Sequence, residues 1–254
     1  MPKLSIITAS YNSAQHLHFC LQSLSSQKFI DFESILIDGQ SQDHTLEVAK
    51  LSKRPPDLII SEPDKGIYDA LNKGISRSTG EIIGILHSDD EFAHEFVLER
   101  IAKTFQNDEC DAVYGDLVYV TQSHPDRIVR YWKGREFVPD LLAWGWMPAH
   151  PTLFVRRSVF DRYGVYDTRY RIAADYECML RLLSRLEGKV AYIPEVLVKM
   201  RVGGVSNRSL GNIVRKSCED YQALRSNKVG GLGTLVAKNL RKLPQFWRRN
   251  VRIS

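Results

Sequence analysis

From residue 4 the chain alternates short apolar, β-branched runs with stretches whose apolar residues recur at helical spacing. Leu4-Ser5-Ile6-Ile7-Thr8 predicts a strand ending at polar Ser10-Tyr11-Asn12, and Leu17, Cys20, Leu21 and Leu24 then mark one face of a helix. Phe32 to Ile37 predicts a second strand, stopped by Asp38-Gly39. Ser41 or Asp43 can cap a helix carrying Leu46, Val48, Ala49 and Leu51. Leu58-Ile59-Ile60 predicts a short third strand, Ile67 to Ile75 a helix ending near Gly74, and Glu81 to Leu86 a fourth strand running into His87-Ser88-Asp89-Asp90. Phe96, Val97, Ile101 and Phe105 mark another helix, and Ala112-Val113-Tyr114 a further strand.

Strands alternating with helices predict βαβ units, hence an α/β fold with a mostly parallel central sheet. In such sheets ligands bind beyond the carboxyl ends of the strands. That rule selects Ser10 to Asn12, Asp38, Glu62 to Gly66, and Asp89-Asp90. After about residue 120 the pattern loosens. Trp132, Trp144, Trp146 and Met147 lie among glycines and prolines; His150 to Val155 reads as a strand, Ala174 to Leu186 as a helix, Val190 to Ile193 as a strand and Asn207 to Ser226 as a helix. Gly230-Gly231-Leu232-Gly233 reads as a flexible break before the C-terminal tail.

Composition narrows the class. The 254 residues are 43% hydrophobic and 26% charged, as in soluble globular proteins. No apolar run approaches the roughly 18 residues that span a bilayer, and the N-terminus lacks the pattern of a secretory signal. The expected location is cytoplasmic. The four cysteines are scattered without CxxC spacing, which argues against a disulfide framework or a zinc site. Net charge is +5, but residues 228–254 hold seven Lys or Arg and no acid, leaving 28 basic and 30 acidic residues, a net of −2, in 1–227. The body has no basic excess, so no nucleic-acid partner is expected.

Several residues could carry chemistry. Asp89-Asp90 follows an apolar strand directly; paired carboxylates there suit a hard divalent cation, or could cap the helix that follows. Asp38 can bond a nucleobase or ribose, or form a turn with Gly39. Lys65, Lys73 or Arg77 could reach a diphosphate, and Pro63-Asp64-Lys65-Gly66 could equally be a plain turn. Asp175 could be a general base or an acid favoured by a helix dipole. His150, held extended before Pro151, could contact ligand or bond structurally. Trp144 and Trp146 could stack on sugar or fill core.

Taken together, these segments resemble family 2 glycosyltransferases of the GT-A fold, especially bacterial polysaccharide-biosynthesis members. Ser5 to Asn12 is similar to the opening strand and donor loop, and Ile37 to Thr45 to a VDGxSxDxT segment, with His44 at the usual Gly. Ser61 to Gly74 is similar to SExDxGIYDAMNKG, and Leu86 to Asp90 to LNSDD. His150-Pro151-Thr152, Ala173-Ala174-Asp175-Tyr176 and Gly203-Gly204-Val205-Ser206 match later blocks. The resemblance covers about residues 3–206, implying a transferase domain over 1–206 and a helical extension over 207–254.

The resemblance implies transfer of a sugar, with inversion, from a nucleotide diphosphate-sugar (a UDP-sugar first) to a glycan or lipid-linked acceptor, with Mn²⁺ or Mg²⁺ as cofactor. It places Thr8, Ser10, Asn12, Asp38, Asp64, Lys65 and Asp89 around the nucleotide, Asp90 on the metal, and Asp175 as the base. His150, Trp144, Trp146 and Arg201 would contact donor or acceptor. Two departures stand out. His87 occupies the first position of the DxD pattern, and Arg201-Val202 stands where relatives carry a His, so Arg201 or Lys199 is expected to supply positive charge. A nucleotidyltransferase of similar architecture is disfavoured because Ala9-Ser10-Tyr11-Asn12-Ser13 contains neither Gly nor Lys, and a non-catalytic relative because Asp38, Asp90 and Asp175 are all present. Residues 232–251 form a basic amphipathic segment broken by Pro244, suited to an anionic membrane at the inner face or to packing on protein.

Overall fold

The structure, a computed structural model, describes residues 4–107, 109–122, 127–202, 210–241 and 245. Gly203-Gly204-Val205-Ser206 and most of the tail beyond residue 241 lie outside the described residues. The first half follows the alternation: β1 (Leu4–Ser10), α1 (Leu17–Ser25), β2 (Phe32–Asp38), α2 (Thr45–Lys50), β3 (Leu58–Ser61), α3 (Ile67–Arg77) and β4 (Ile82–Ile85). β1 pairs in parallel with β2 and β4, and β2 with β3. The register sets Ser10 opposite Asp38 and Asp38 opposite Ser61, so three polar strand ends lie level.

Period-2 alternation divides the strands between two cores. Ile7, Ile35, Ile37, Ile83 and Ile85 face Leu71 and Ile75 of α3. Leu4, Ile6, Leu36 and Ile82 face Leu17, Leu21 and Leu24 of α1. Gly74 does not end α3 as its sequence suggests. It lies within the helix, where an added Cβ would stand 2.3 Å from Cγ2 of Ile7. Glycine is needed there for close approach to β1, and α3 stops only at Ser78, whose ψ is 150°.

The second half departs further from the periodicity. Past β5 (Asp90–Phe92) and α4 (Val97–Thr104) come two long strands, β6 (Cys110–Val120) and β9 (Lys189–Arg201), which pair in parallel. Between them lie β7 (Ile128–Trp132), α5 (Asp140–Ala143), β8 (Phe154–Arg156), α6 (Arg157–Tyr163) and α7 (Ala174–Leu183). The sheet order is β3-β2-β1-β4-β8-β6-β9-β5, with β7 beside β6. β8 is antiparallel to β4 and β6, β5 to β9, and β7 to β6, so the parallel block of the first strands gives way to a mixed region. His150-Pro151-Thr152 is a 3₁₀ turn rather than the start of a strand. Pro151 has no N–H for a ladder, and Thr152 Oγ1 donates within reach of Gly115 O (3.0 Å) and Ala149 O (2.8 Å), which holds the turn.

α8 (Leu210–Ser226) and α9 (Leu232–Leu240) close the described chain. The expected break at Gly230 to Gly233 is in part the first turn of α9. Thr234 Oγ1 donates to Ala143 O (2.9 Å), Lys238 Nζ pairs with Asp220 Oδ2 (2.6 Å), and Arg241 Nε donates to Trp144 O (2.9 Å). The amphipathic tail therefore packs on its own body as far as residue 241.

Candidate active site

The polar strand ends converge on one edge. Asp38 is fully buried, and its carboxylate is saturated. Oδ1 accepts from Ser10 Oγ (3.1 Å) and Ser41 Oγ (2.5 Å), and Oδ2 from Ser41 N (2.9 Å) and Ser61 Oγ (2.8 Å). Asp38 thus ties together the ends of β1, β2 and β3. The loops around it are stitched to one another. Asn12, at φ 48°, donates its N–H to Ser41 Oγ (2.8 Å) and accepts Gln42 N on Oδ1 (2.9 Å). Ser13 Oγ lies 3.0 Å from Ser88 Oγ, joining the first loop to the segment holding Asp89.

Asp64 Oδ1 accepts Gly66 N (2.8 Å), while its Oδ2 lies where a Cβ on Gly39 would come within 2.5 Å. Gly39 is required by that close approach, which brings the third loop onto the second. Tyr11, 64% exposed, borders the same point. Lys65 is exposed and its side chain projects from this rim. Lys73 is held instead by Glu62 (2.9 Å) and by Pro63 O (2.8 Å). Thr8 is buried, with Oγ1 3.9 Å from Cys20 Sγ of α1.

Asp90 contrasts with Asp38. It opens β5 opposite Met200, and α4 begins only at Val97, so it caps no helix. It is fully buried, and neither carboxylate oxygen meets a donor at hydrogen-bonding distance and angle. Burial drives its pKa well above the carboxylate range; neighbouring Asp89 adds to this, and the N–H and charge of Arg201 offset it only in part. An unpaired buried carboxylate is costly unless something cationic completes it. Such an orphan fits a divalent cation. Among the described residues no three His, Cys, Asp or Glu side chains converge as a metal cage, so the remaining ligands would be phosphate oxygens and water, the usual habit of Mg²⁺.

His87 links this corner to the opposite wall. Its Nδ1 is buried without a partner, and burial lowers its pKa against the pull of both Asp89 and Asp175. Its ring lies 6.0 Å from that of His150. His150 Nε2 is 2.7 Å from Tyr166 Oη, and burial lowers its pKa to about 4, so it is neutral at physiological pH. Asp175, in the first turn of α7, accepts Tyr176 N (2.8 Å) and faces Tyr68 Oη (3.2 Å), both on Oδ1. Burial opposes its ionisation, yet His150, Lys216, the Tyr176 N–H and Lys238 together hold its pKa below the usual range. It is ionised and able to take a proton. Asp89, His87, His150 and Asp175 thus share one corner, although 85 residues separate Asp90 from Asp175 in sequence.

Trp144 and Trp146 lie away from this corner, whereas Arg201 borders Asp90 through its backbone N–H. Trp146 is buried against Tyr114 and Phe137 as core, whereas Trp144 is 65% exposed beside α9. Arg201 is buried and committed to Glu91, to Gln122 O (2.9 Å) and to the Phe19 ring, 4.1 Å away. Sequence reading missed Tyr68, Tyr166 and Glu219, which surround Asp175. The tyrosine of Gly66-Ile67-Tyr68-Asp69 was the only available signal, since the other two are brought in by tertiary packing alone.

Residues 5–164 match the family model described as Glycosyl transferase family 2. The chain is 33% identical over 213 residues to a PGL/p-HBAD biosynthesis glycosyltransferase of Mycobacterium bovis, covering 81% of this chain and 80% of that protein. It is 28% identical to an uncharacterized glycosyltransferase of Nostoc over 81% of this chain and 66% of that one. Among solved structures, S. aureus TarS 1-349 in complex with UDP-GlcNAc superposes with a TM-score of 0.70 at 18% identity, over 89% of this chain and 66% of that one. The mannosyltransferase PcManGT of Pyrobaculum calidifontis, in complex with GDP-Man and Mn²⁺, gives 0.65 at 19% identity, over 97% and 73%. The fold is that of GT-A glycosyltransferases.

Proposed function

Because the chain belongs to glycosyl transferase family 2 and is a glycosyltransferase, we propose that it moves a sugar, with inversion, from a UDP-sugar to a hydroxyl of a glycan or lipid-linked acceptor in cell-surface polysaccharide biosynthesis. The observation that carries this reading is the orphaned Asp90 carboxylate, beside Asp89 and across a shared corner from ionised Asp175. Residues 1–206 would form the transferase domain and 207–254 a C-terminal extension, of which α8 and α9 pack on that domain.

Ser10, Asn12, Asp38, Asp64, Lys65 and Asp89 bound the nucleotide subsite, with exposed Tyr11 offering a face for the base. Because Asp38 is saturated, it shapes this subsite through Ser10 and Ser41 and leaves them to face the ligand. Asp90 would hold Mn²⁺ or Mg²⁺, with the diphosphate completing the coordination. A bound cation supplies Lewis-acid stabilisation of the departing nucleoside diphosphate. Asp175 takes the proton of the acceptor hydroxyl, and attack from the face opposite the diphosphate inverts the anomeric carbon. His150 and Tyr68 fix the orientation of that wall. A Mn²⁺-bound GDP-sugar neighbour and a UDP-GlcNAc neighbour support nucleotide-sugar use with metal.

The test is a thermal-shift screen of UDP-, GDP- and dTDP-sugars with Mn²⁺, since a ligand bound only by the folded state raises its melting temperature. UDP-sugars should give the largest shift. Asp175→Asn should abolish transfer and keep that shift. No shift with any nucleotide, or full activity in Asp175→Asn, overturns the reading.

The location proposed is the inner face of the membrane, with α9 as the contact. No helix of the described residues is long and apolar enough to cross a bilayer. In α9, however, the polar face is turned inward: Lys238 and Thr234 are buried, while Leu232, Val236 and Leu240 form an exposed stripe, 57–67% accessible, at intervals of one helical turn. That outward stripe beside basic residues suits an anionic lipid surface.

A further inference from the structure

Resting on the assignment of Asp175 as the base, we infer that Glu219, on α8, is a positioning residue for that base. Glu219 lies beyond the stretch that resembles the family and beyond the residues that the family model matches. α7 begins without a capping side chain from its own N-cap residue, Ala173. The peptide groups just before it are instead gripped from two sides. Glu219 Oε2 accepts the N–H of Ile172 (2.8 Å) and the N–H of Ala173 (2.9 Å), while Ile172 O accepts from Tyr68 Oη (2.8 Å). Tyr68 Oη is also the group that faces Asp175 Oδ1. The segment 172–173 therefore has its N–H groups fixed by α8 and its carbonyl fixed by α3, and Asp175 follows two residues later.

Glu219 is itself held. It is 8% exposed and has Arg215 3.8 Å away on the same helix. Asp220 of α8 and Asn227, just past its end, fasten this helix to α7. Asp220 pairs with Lys238 (2.6 Å), whose Nζ lies 3.2 Å from the centre of the Tyr176 ring, and Asn227 Nδ2 donates to Glu177 Oε1 (3.2 Å). A charged acceptor on two consecutive backbone donors is a strong local restraint. Catalysis by proton transfer is sensitive to placement, and an error of about 1 Å can cost on the order of 10²-fold in rate.

The requirement is for an acceptor oxygen at that reach, and charge is secondary. Glu219→Gln keeps a carbonyl oxygen at the same distance. Glu219→Asp keeps the charge but withdraws it by one methylene. Steady-state kinetics on the full chain should show Glu219→Gln near wild type and Glu219→Asp with kcat lowered about 10–100-fold, with donor KM and the UDP-plus-Mn²⁺ thermal shift unchanged. Equal kcat in Glu219→Asp and wild type overturns the inference, as does a Glu219→Gln loss matching that of Glu219→Asp. So does a parallel loss of kcat and nucleotide binding, which marks a general structural role. Full activity in Asp175→Asn alone defeats the base assignment, a result separate from any of these.

Discussion

Two buried aspartates, Asp38 closing β2 and Asp90 opening β5, are built in opposite ways. Asp38 accepts four hydrogen bonds and holds three loops together. Asp90, equally buried, has only the N–H and charge of Arg201 to set against its burial, and its pKa is strongly raised. The first carboxylate stabilises the fold it sits in, and the second is a cost that the fold carries. A costly unpaired group persists where function uses it. The difference separates the rigid frame of the proposed nucleotide subsite from the place proposed to receive an ion.

The sharpest way to break this contrast is Asp90→Asn. Transfer should fall by roughly 10²–10³-fold or more, as when a group stabilising developing charge is removed. At pH values where Asp90 is ionised, the ligand-free protein should nevertheless become more stable, by about 1–3 kcal/mol, because a buried charge is replaced by a neutral amide. For a chain of this size that is roughly 2–4 °C of melting temperature per kcal/mol. A melting temperature below wild type would show that Asp90 is satisfied as it stands. Asp38→Asn should do the reverse. An amide N–H₂ facing the Ser41 and Ser61 donors leaves unmade bonds, costing about 1–3 kcal/mol of stability. Differential scanning calorimetry of both variants reads the two signs directly.

Acidity sharpens the contrast more gently. A carboxylate whose folded pKa lies above its unfolded value of about 3.9 favours folding only while protonated. Its contribution is therefore fully present below about pH 4 and lost as pH rises through the folded pKa. The stability gap between Asp90→Asn and wild type should be small near pH 4 and widen toward neutrality, whereas a constant gap would contradict the raised pKa. The smallest effect expected is at the membrane. Gln at Leu232, Val236 and Leu240 should weaken co-sedimentation with anionic vesicles severalfold and leave the melting temperature near wild type, since these side chains face outward. Equal binding by the variant and wild type would remove α9 as the contact.

Periodicity made the first four strands, their parallel pairing and the polar strand ends legible, because β1, β2 and β4 are apolar on both buried faces and each helix on one. Gly74 was misread, since a glycine inside a helix and one at its end look alike until the neighbouring strand is in place. The second half was harder. β6 and β9 carry irregular register and mixed polar residues, so only short stretches of each showed a strand pattern. His150 looked extended because of Pro151, yet side-chain bonds from Thr152 closed a turn.

The order of the motifs was enough to place the chain in its family and to name Asp38, Asp90 and Asp175. Whether a carboxylate is saturated or orphaned is invisible in sequence, because its partners come from segments tens of residues away. Ser61 reaches Asp38 through strand register, and Arg201 is taken by Glu91 through the β5–β9 pairing. In the same way, only the packing of α8 against α7 brought Glu219 beneath the segment that carries Asp175. Local pattern determined which side chains stand at the sheet edge; long-range hydrogen bonding and burial decided which of them are free to act.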